Sequence, residues 1–173
     1  EILARVDLAS MDERFVALVT RTGEQVDEIK KRREQILRHE LVPFDSFRFY
    51  SGMISALLEI TLRTANQMPS PSLALLSHAK QSLLYLKENS GQERAMLTGI
   101  FSVAEMTTAQ YKNLISLHDE QGTYERMALV YASVTQEKLL REKLQDPVIK
   151  QVAAIGRLVR EIGPGAHLSY PSE

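Results

Sequence analysis

Apolar residues recur along this chain at three- and four-residue intervals, and the spacing breaks where proline, serine or threonine interrupts it. From Met11 to about Leu41, Phe15, Leu18, Thr22, Ile29 and Ile36 fall on one side of a helix that Asp12 can cap. The far half of that helix, DEIKKRREQILRHE, reads as a solvated face. After the turn LVPFD, with Asp45 as candidate N-cap, Phe47, Tyr50, Ile54, Leu57, Thr61, Ala65 and Met68 repeat with helical spacing. Pro69-Ser70-Pro71-Ser72 ends this second helix, because neither proline can donate a backbone hydrogen bond, and Pro71 can sit in the first turn of the next. A third helix is predicted from about Ser72 to Met106, carried across Asn89-Ser90-Gly91. Thr107 or Thr108 caps a fourth through Ala132. Ser133-Val134-Thr135-Gln136 has the form of a capping box for a short fifth helix to Gln145, and Asp146-Pro147 opens a sixth that ends near Gly163-Pro164-Gly165. The opening run EILARVDLAS reads as the remainder of a cut first helix. The pattern predicts an all-α fold of long antiparallel helices, arranged as two packed bundles sharing long helices.

One position in the third helix departs from its pattern. At 100° per residue, Leu76, Ala79, Leu83, Leu86, Leu97, Phe101 and Ala104 gather in a sector roughly 80° wide. We expect Leu76, Leu83, Leu97 and Phe101 to be buried there. Arg94 falls in the same sector, as does Ser90, while Glu93 stands at its border and Lys80, Lys87 and Gln92 lie off its centre. A guanidinium cannot shed its charge, so among leucines it requires an anion and hydrogen-bond acceptors. Two readings follow from the residues. Either a carboxylate of a neighbouring helix pairs with Arg94, or its stem packs while its head reaches water; or its planar fork of donors holds a small anion between helices.

Composition narrows the functions. With 44% hydrophobic, 25% charged and 6% aromatic residues, 8 Gly and 6 Pro, the chain suits helices better than a turn-rich β fold. Its 173 residues suffice for a single helical domain over 1–173, or for two small helical bundles sharing a helix. A balance of 21 basic against 22 acidic residues leaves no electrostatic footprint for nucleic acid or an anionic membrane. There is no Cys, hence no disulfide framework, thiol nucleophile or Cys-based metal site. His39, His78, His118 and His167 show no metal-binding spacing, and His118, on the apolar side of its helix, reads as a hydrogen-bonded core residue. Ser77-His78 and His118-Asp119 are adjacent in helices and point to different sides, so neither makes a nucleophile and base. No enzyme activity and no cofactor are expected. Gly91 and Gly99 are single glycines inside a helix, for which close packing is the default explanation. No window approaches ~18 uninterrupted apolar residues. A start without Met, already in helical text, and the close GPGAHLSYPSE suggest a soluble piece of something larger, its C-terminal tail leading into a further helix.

The run AKQSLLYLKENSGQERAMLTGIFS, residues 79 to 102, resembles the nitrate- and nitrite-sensing domain of bacterial receptors. That family carries a K-x-x-x-G-x-E-R-A pattern followed by an apolar run on a long helix, and Lys87, Gly91, Glu93, Arg94 and Ala95 stand here in that order. Upstream, FYSGMISALLEI looks like the family's preceding helix, and Phe15, Leu18, Arg21 and Asp27 fit its F-x-x-L-x-x-x-R helix loosely. The resemblance implies paired helical bundles in which arginines of the first helix and of the ERA helix grip nitrate or nitrite. Arg94 matches the second of these, with Ser90 one turn before it. The family's first helix opens with a Q-x-E-R-G run ahead of an L-A-S segment; Leu8-Ala9-Ser10 is present, but the arginine position falls at or before Glu1. Either that arginine precedes this sequence, or Arg5 takes its place, or the ligand is not nitrate. Arg21, on a face other than that of Phe15 and Leu18, reads as solvent-exposed, and only the resemblance raises it as a ligand contact. The implied protein is a non-catalytic sensor, a homodimer, periplasmic within a membrane-anchored receptor or else cytoplasmic, with no direct contact to nucleic acid. The alternative is an interaction bundle in which Arg94 forms an internal ion pair.

Overall fold

The computed structural model describes residues 11–66 and 68–165, and these form helices without a β-strand. The chain divides into two compact units, Glu1–Pro69 and Ser70–Glu173. In the first unit, α1 (Glu13–Asp27) is capped by Asp12, whose carboxylate accepts from the Phe15 amide at 3.0 Å. It buries Phe15, Val19 and Thr22, and α3 (Pro43–Ala65) buries Met53, Ala56, Leu58 and Ala65. Between them α2 (Ile29–Leu37) buries nothing. The helix predicted from Met11 to Leu41 is interrupted at Glu28 alone, whose backbone stays in the right-handed helical region: its amide donates to the Glu24 carbonyl at 3.2 Å and its carbonyl accepts from the Arg32 amide at 3.0 Å, so α2 continues α1. The predicted cap also moves. Val42 is the N-cap of α3 and Pro43 its first residue, with the Asp45 amide donating to the Val42 carbonyl at 3.0 Å. Proline fixes the entry dihedral and lacks the N–H that a cap would satisfy, so Asp45 sits inside the first turn.

The second unit opens at Pro71, the first residue of α4 (Pro71–Val103), which runs unbroken through Asn89-Ser90-Gly91. Ala104, in the left-handed region at φ 56°, ends it. Thr107 and Gln110 form a capping box at the head of α5 (Thr108–Tyr131), and Ser133 and Gln136 form another for α6 (Val134–Leu144). Asp146 caps α7 (Pro147–Ile162) by accepting from the Val148 amide at 2.9 Å. A short connection folds α5 back antiparallel along α4. Leu97, Ile100, Met106, Leu114 and Val159 form the core of this unit, with Met96, Phe101 and Tyr111 packed against it. The Gly165 amide donates to the Met106 carbonyl at 3.1 Å, tying the end of the α7 segment to the turn after α4. No helix among the described residues is long and apolar enough to cross a membrane.

The inward seam of α4 differs from the predicted sector. Leu97 is buried and Phe101 half-buried, but Leu76 and Leu83 are 45% and 41% exposed. The buried set is Ala79, Gln81, Ser82, Asn89, Glu93, Leu97 and Ile100. The seam has turned by about one residue, from 83, 90, 94 and 101 toward 82, 89, 93 and 100. Leucines in SLALLS and SLLYLK lie on several sides of the helix, so apolarity alone does not fix its rotation. Polar partners on α5 and α7 do.

Candidate functional site

A column of polar and aromatic side chains joins α4 to its neighbours. The Tyr85 and Tyr124 rings stack with centroids 4.7 Å apart. Burial first, then the nearby Tyr85 phenol and Glu120 carboxylate, raises the Tyr124 hydroxyl above the ordinary tyrosine range, so it stays neutral at physiological pH. One turn on, Asn89 Nδ2 donates to Glu120 Oε2 at 2.9 Å. Another turn on, Glu93 accepts from Gln121 Nε2 at 2.7 Å and from Arg160 Nη1 at 3.1 Å. Glu93 and Arg160 have side chains only 11% and 13% exposed, so this is a buried ion pair across α4 and α7. Gly156, one turn before Arg160, makes room for it: a Cβ there would lie 2.9 Å from Glu93 Oε1 and 3.0 Å from Arg160 Nη1. Sequence reasoning missed both halves of the pair. A signal existed in the Gly156-x-x-x-Arg160 spacing, a glycine and an arginine on one helix face.

Arg94 lies on the other side of α4, exposed. No carboxylate among the described residues pairs with it, and its carbonyl accepts from Thr98 Oγ1 at 2.9 Å. Ser90, four residues earlier, shares its face and is also exposed, its hydroxyl donating to the Leu86 carbonyl at 2.8 Å. Lys87, seven residues before Arg94, continues the strip. The expected place of Arg94 among leucines is thus corrected: the guanidinium is solvated because the seam is turned toward Glu93. Gly91 belongs to this open face, and an added Cβ at Gly91 or Gly99 would meet nothing within 4 Å, so neither glycine serves close packing. Arg21 is exposed on α1, within the first unit, and Arg5 lies outside the described residues. Arg94 and Ser90, two of the four expected contacts, share one face of α4.

His118 is exposed, not a core residue, because Leu114 and Leu117 take the inward side of α5. It lines a solvent-open cleft of about 380 Å³ between α5 and α7 with Ile115, Ala153, Arg157, Arg160 and Glu161. Among the described residues no cluster of histidines and carboxylates could hold a metal ion.

Compared with known proteins, residues 2–170 match the sequence model of the family described as nitrate and nitrite sensing. No curated protein and no solved structure gives a significant match.

Proposed function

This chain belongs to the nitrate- and nitrite-sensing family, whose model spans nearly all of it, and on that premise we propose that it binds nitrate or nitrite through Arg94 and reports the bound anion to the rest of a bacterial signalling protein. One observation favours the anion over an internal ion pair. The inward carboxylate beside it, Glu93, already has a cation in Arg160, so the Arg94 donors stay unused by any carboxylate among the described residues. The rival reading, an interaction bundle in which Arg94 is half of an internal ion pair, needs that carboxylate. Lys87 adds positive charge to the same face, and Ser90 offers a hydroxyl one turn away.

A planar oxyanion can accept two parallel hydrogen bonds from one guanidinium, with geometry that an ammonium lacks. Binding shifts a bundle only by the anion's differential affinity for two arrangements, so the signal requires a contact that changes between them. A place outside the cytoplasm in a membrane-anchored receptor, and work as a homodimer, belong to the same reading; light scattering with and without nitrate tests the second. The decisive experiment is a calorimetric titration with nitrate, nitrite and chloride. Saturable heat with the oxyanions that falls roughly tenfold or more in affinity in Arg94→Lys, charge retained, is the expected result. Equal binding by Arg94→Lys would refute the role of the fork.

A further inference from the structure

The cleft between α5 and α7 has a chemistry of its own. Arg160 forms one wall and uses Nη1 on Glu93. Its Nε and Nη2 have no protein acceptor among the described residues and neither is a sealed, unsatisfied atom, and the residue itself lines the solvent-open cleft. Arg157 is exposed and has no carboxylate partner among the described residues, and the His118 imidazole faces the same space from α5. Against these three stands one carboxylate, Glu161, and the remaining walls are the apolar Ile115 and Ala153. A hollow of about 380 Å³ lies at the lower end of small-molecule sites, too small for a folded partner and far larger than nitrate or nitrite needs.

We propose that this cleft is a second anion site of the domain, taking a small monocarboxylate whose head meets Arg157 and Arg160 and whose short apolar body lies on Ile115 and Ala153. Nitrate would leave the apolar walls unused. A dianion would meet Glu161 without a second pair of donors to offset it. The carboxylate forks onto guanidinium donors that no protein acceptor occupies, so binding does not require Glu93 to surrender its partner. Because α5 and α7 both line the cleft, an occupant bridges them, and the Arg160 that grips it is the one that fastens α7 to α4. This site stands apart from the face of Arg94, and neither assignment depends on the other.

The test is calorimetric titration of the 173-residue chain with acetate, propionate, butyrate and nitrate at fixed ionic strength, repeated on Arg157→Gln and Arg94→Gln. Affinity should rise along the carboxylate series by roughly two- to fourfold per methylene. Arg157→Gln should weaken carboxylate binding about ten- to a hundredfold while keeping the melting curve and the nitrate response. Arg94→Gln should do the reverse, removing nitrate and sparing the carboxylates. No saturable heat from any carboxylate, equal affinity for acetate and butyrate, or carboxylate binding untouched in Arg157→Gln would overturn the proposal. Nitrate binding lost in Arg157→Gln would make the cleft an oxyanion site and overturn it as well. Nitrate binding that persists in Arg94→Gln refutes the Arg94 reading alone.

Discussion

The two sides of α4 carry similar residues in opposite circumstances. Inward stand Tyr85, Asn89 and Glu93, each partnered: a stacked ring, a carboxylate, and an amide with a guanidinium. Outward stand Lys87, Ser90 and Arg94, solvated, with no carboxylate on Arg94 among the described residues. Adjacent residues 93 and 94 thus divide the work of one motif. A charge inside a bundle must be answered by the protein itself. A charge outside can wait for a ligand. The difference teaches that in this chain Glu93 is a buried, partnered carboxylate and Arg94 a solvated cation with no carboxylate partner among the described residues.

The inward side of α4 depends most on Arg160. Arg160→Met removes the cation and leaves Glu93 buried with only Gln121 to meet it, which should cost about 3 to 5 kcal/mol of stability in urea or thermal unfolding. Replacing both partners, in Glu93→Leu with Arg160→Met, should restore much of that loss, because no charge is stranded. If the single substitution costs under about 1 kcal/mol, the pair is solvated in solution and the inward side is less closed than described.

Gly156 comes next. Alanine there brings a methyl within 3.0 Å of both ends of the pair, and displacing them should outweigh the helix gain of Gly→Ala, for a net loss of about 1 to 2 kcal/mol. Arg160 is a flexible side chain and can yield part of the way, which keeps the figure below that for Arg160→Met. A neutral or stabilised Gly156→Ala would mean that α7 stands further from Glu93.

What could be read from the sequence divides along the same line. Helix ends are decided locally, by Asp12, by Thr107 (one of the two threonines expected there), by Ser133 with Gln136 and by Asp146, whose side chains reach amides two or three residues away. These were legible, as was the helix across Asn89-Ser90-Gly91. The rotation of α4 was not, since a 3.5-residue seam and a 3.6-residue helix drift apart by about 20° per heptad, and leucines on several sides fit either choice. What settled it was Arg160, 67 positions beyond Glu93, a separation that no local rule spans. The candidate site was half legible: Arg94 stood out as an arginine needing an anion, but for the wrong reason, as a buried charge. The cleft at His118 was hidden by the same difficulty, because the inward side of α5 falls to Leu114 and Leu117.

A smaller effect with the opposite sign is expected at Gly91. Its added methyl meets open space, so Gly91→Ala should stabilise the chain by about 0.5 to 1 kcal/mol through backbone entropy and helix propensity. Set beside Gly156→Ala, it gives two glycines in helices with opposite outcomes. A destabilised Gly91→Ala would show that something covers the outward face in solution.

The smallest expected change in stability is at Arg94, and its smallness is the point. Arg94→Met keeps a long unbranched side chain and a helix former but removes the charge. If Arg94 were half of a buried pair, the change would strand a carboxylate and cost about 3 kcal/mol or more, as at Arg160. Exposed on α4 and without a carboxylate among the described residues, it should instead alter the stability of the ligand-free chain by no more than about 0.5 kcal/mol. A ligand that binds only the folded state raises its stability by RT ln(1 + [L]/Kd), so nitrate at a hundred times its Kd should add about 2.7 kcal/mol to the unchanged chain. In Arg94→Met that increment should shrink toward zero. Four melting curves, each chain with and without nitrate, therefore separate the two roles: an unchanged ligand-free midpoint with a lost nitrate shift assigns Arg94 to the anion. A large ligand-free loss with the nitrate shift intact would return Arg94 to the structural side of the helix.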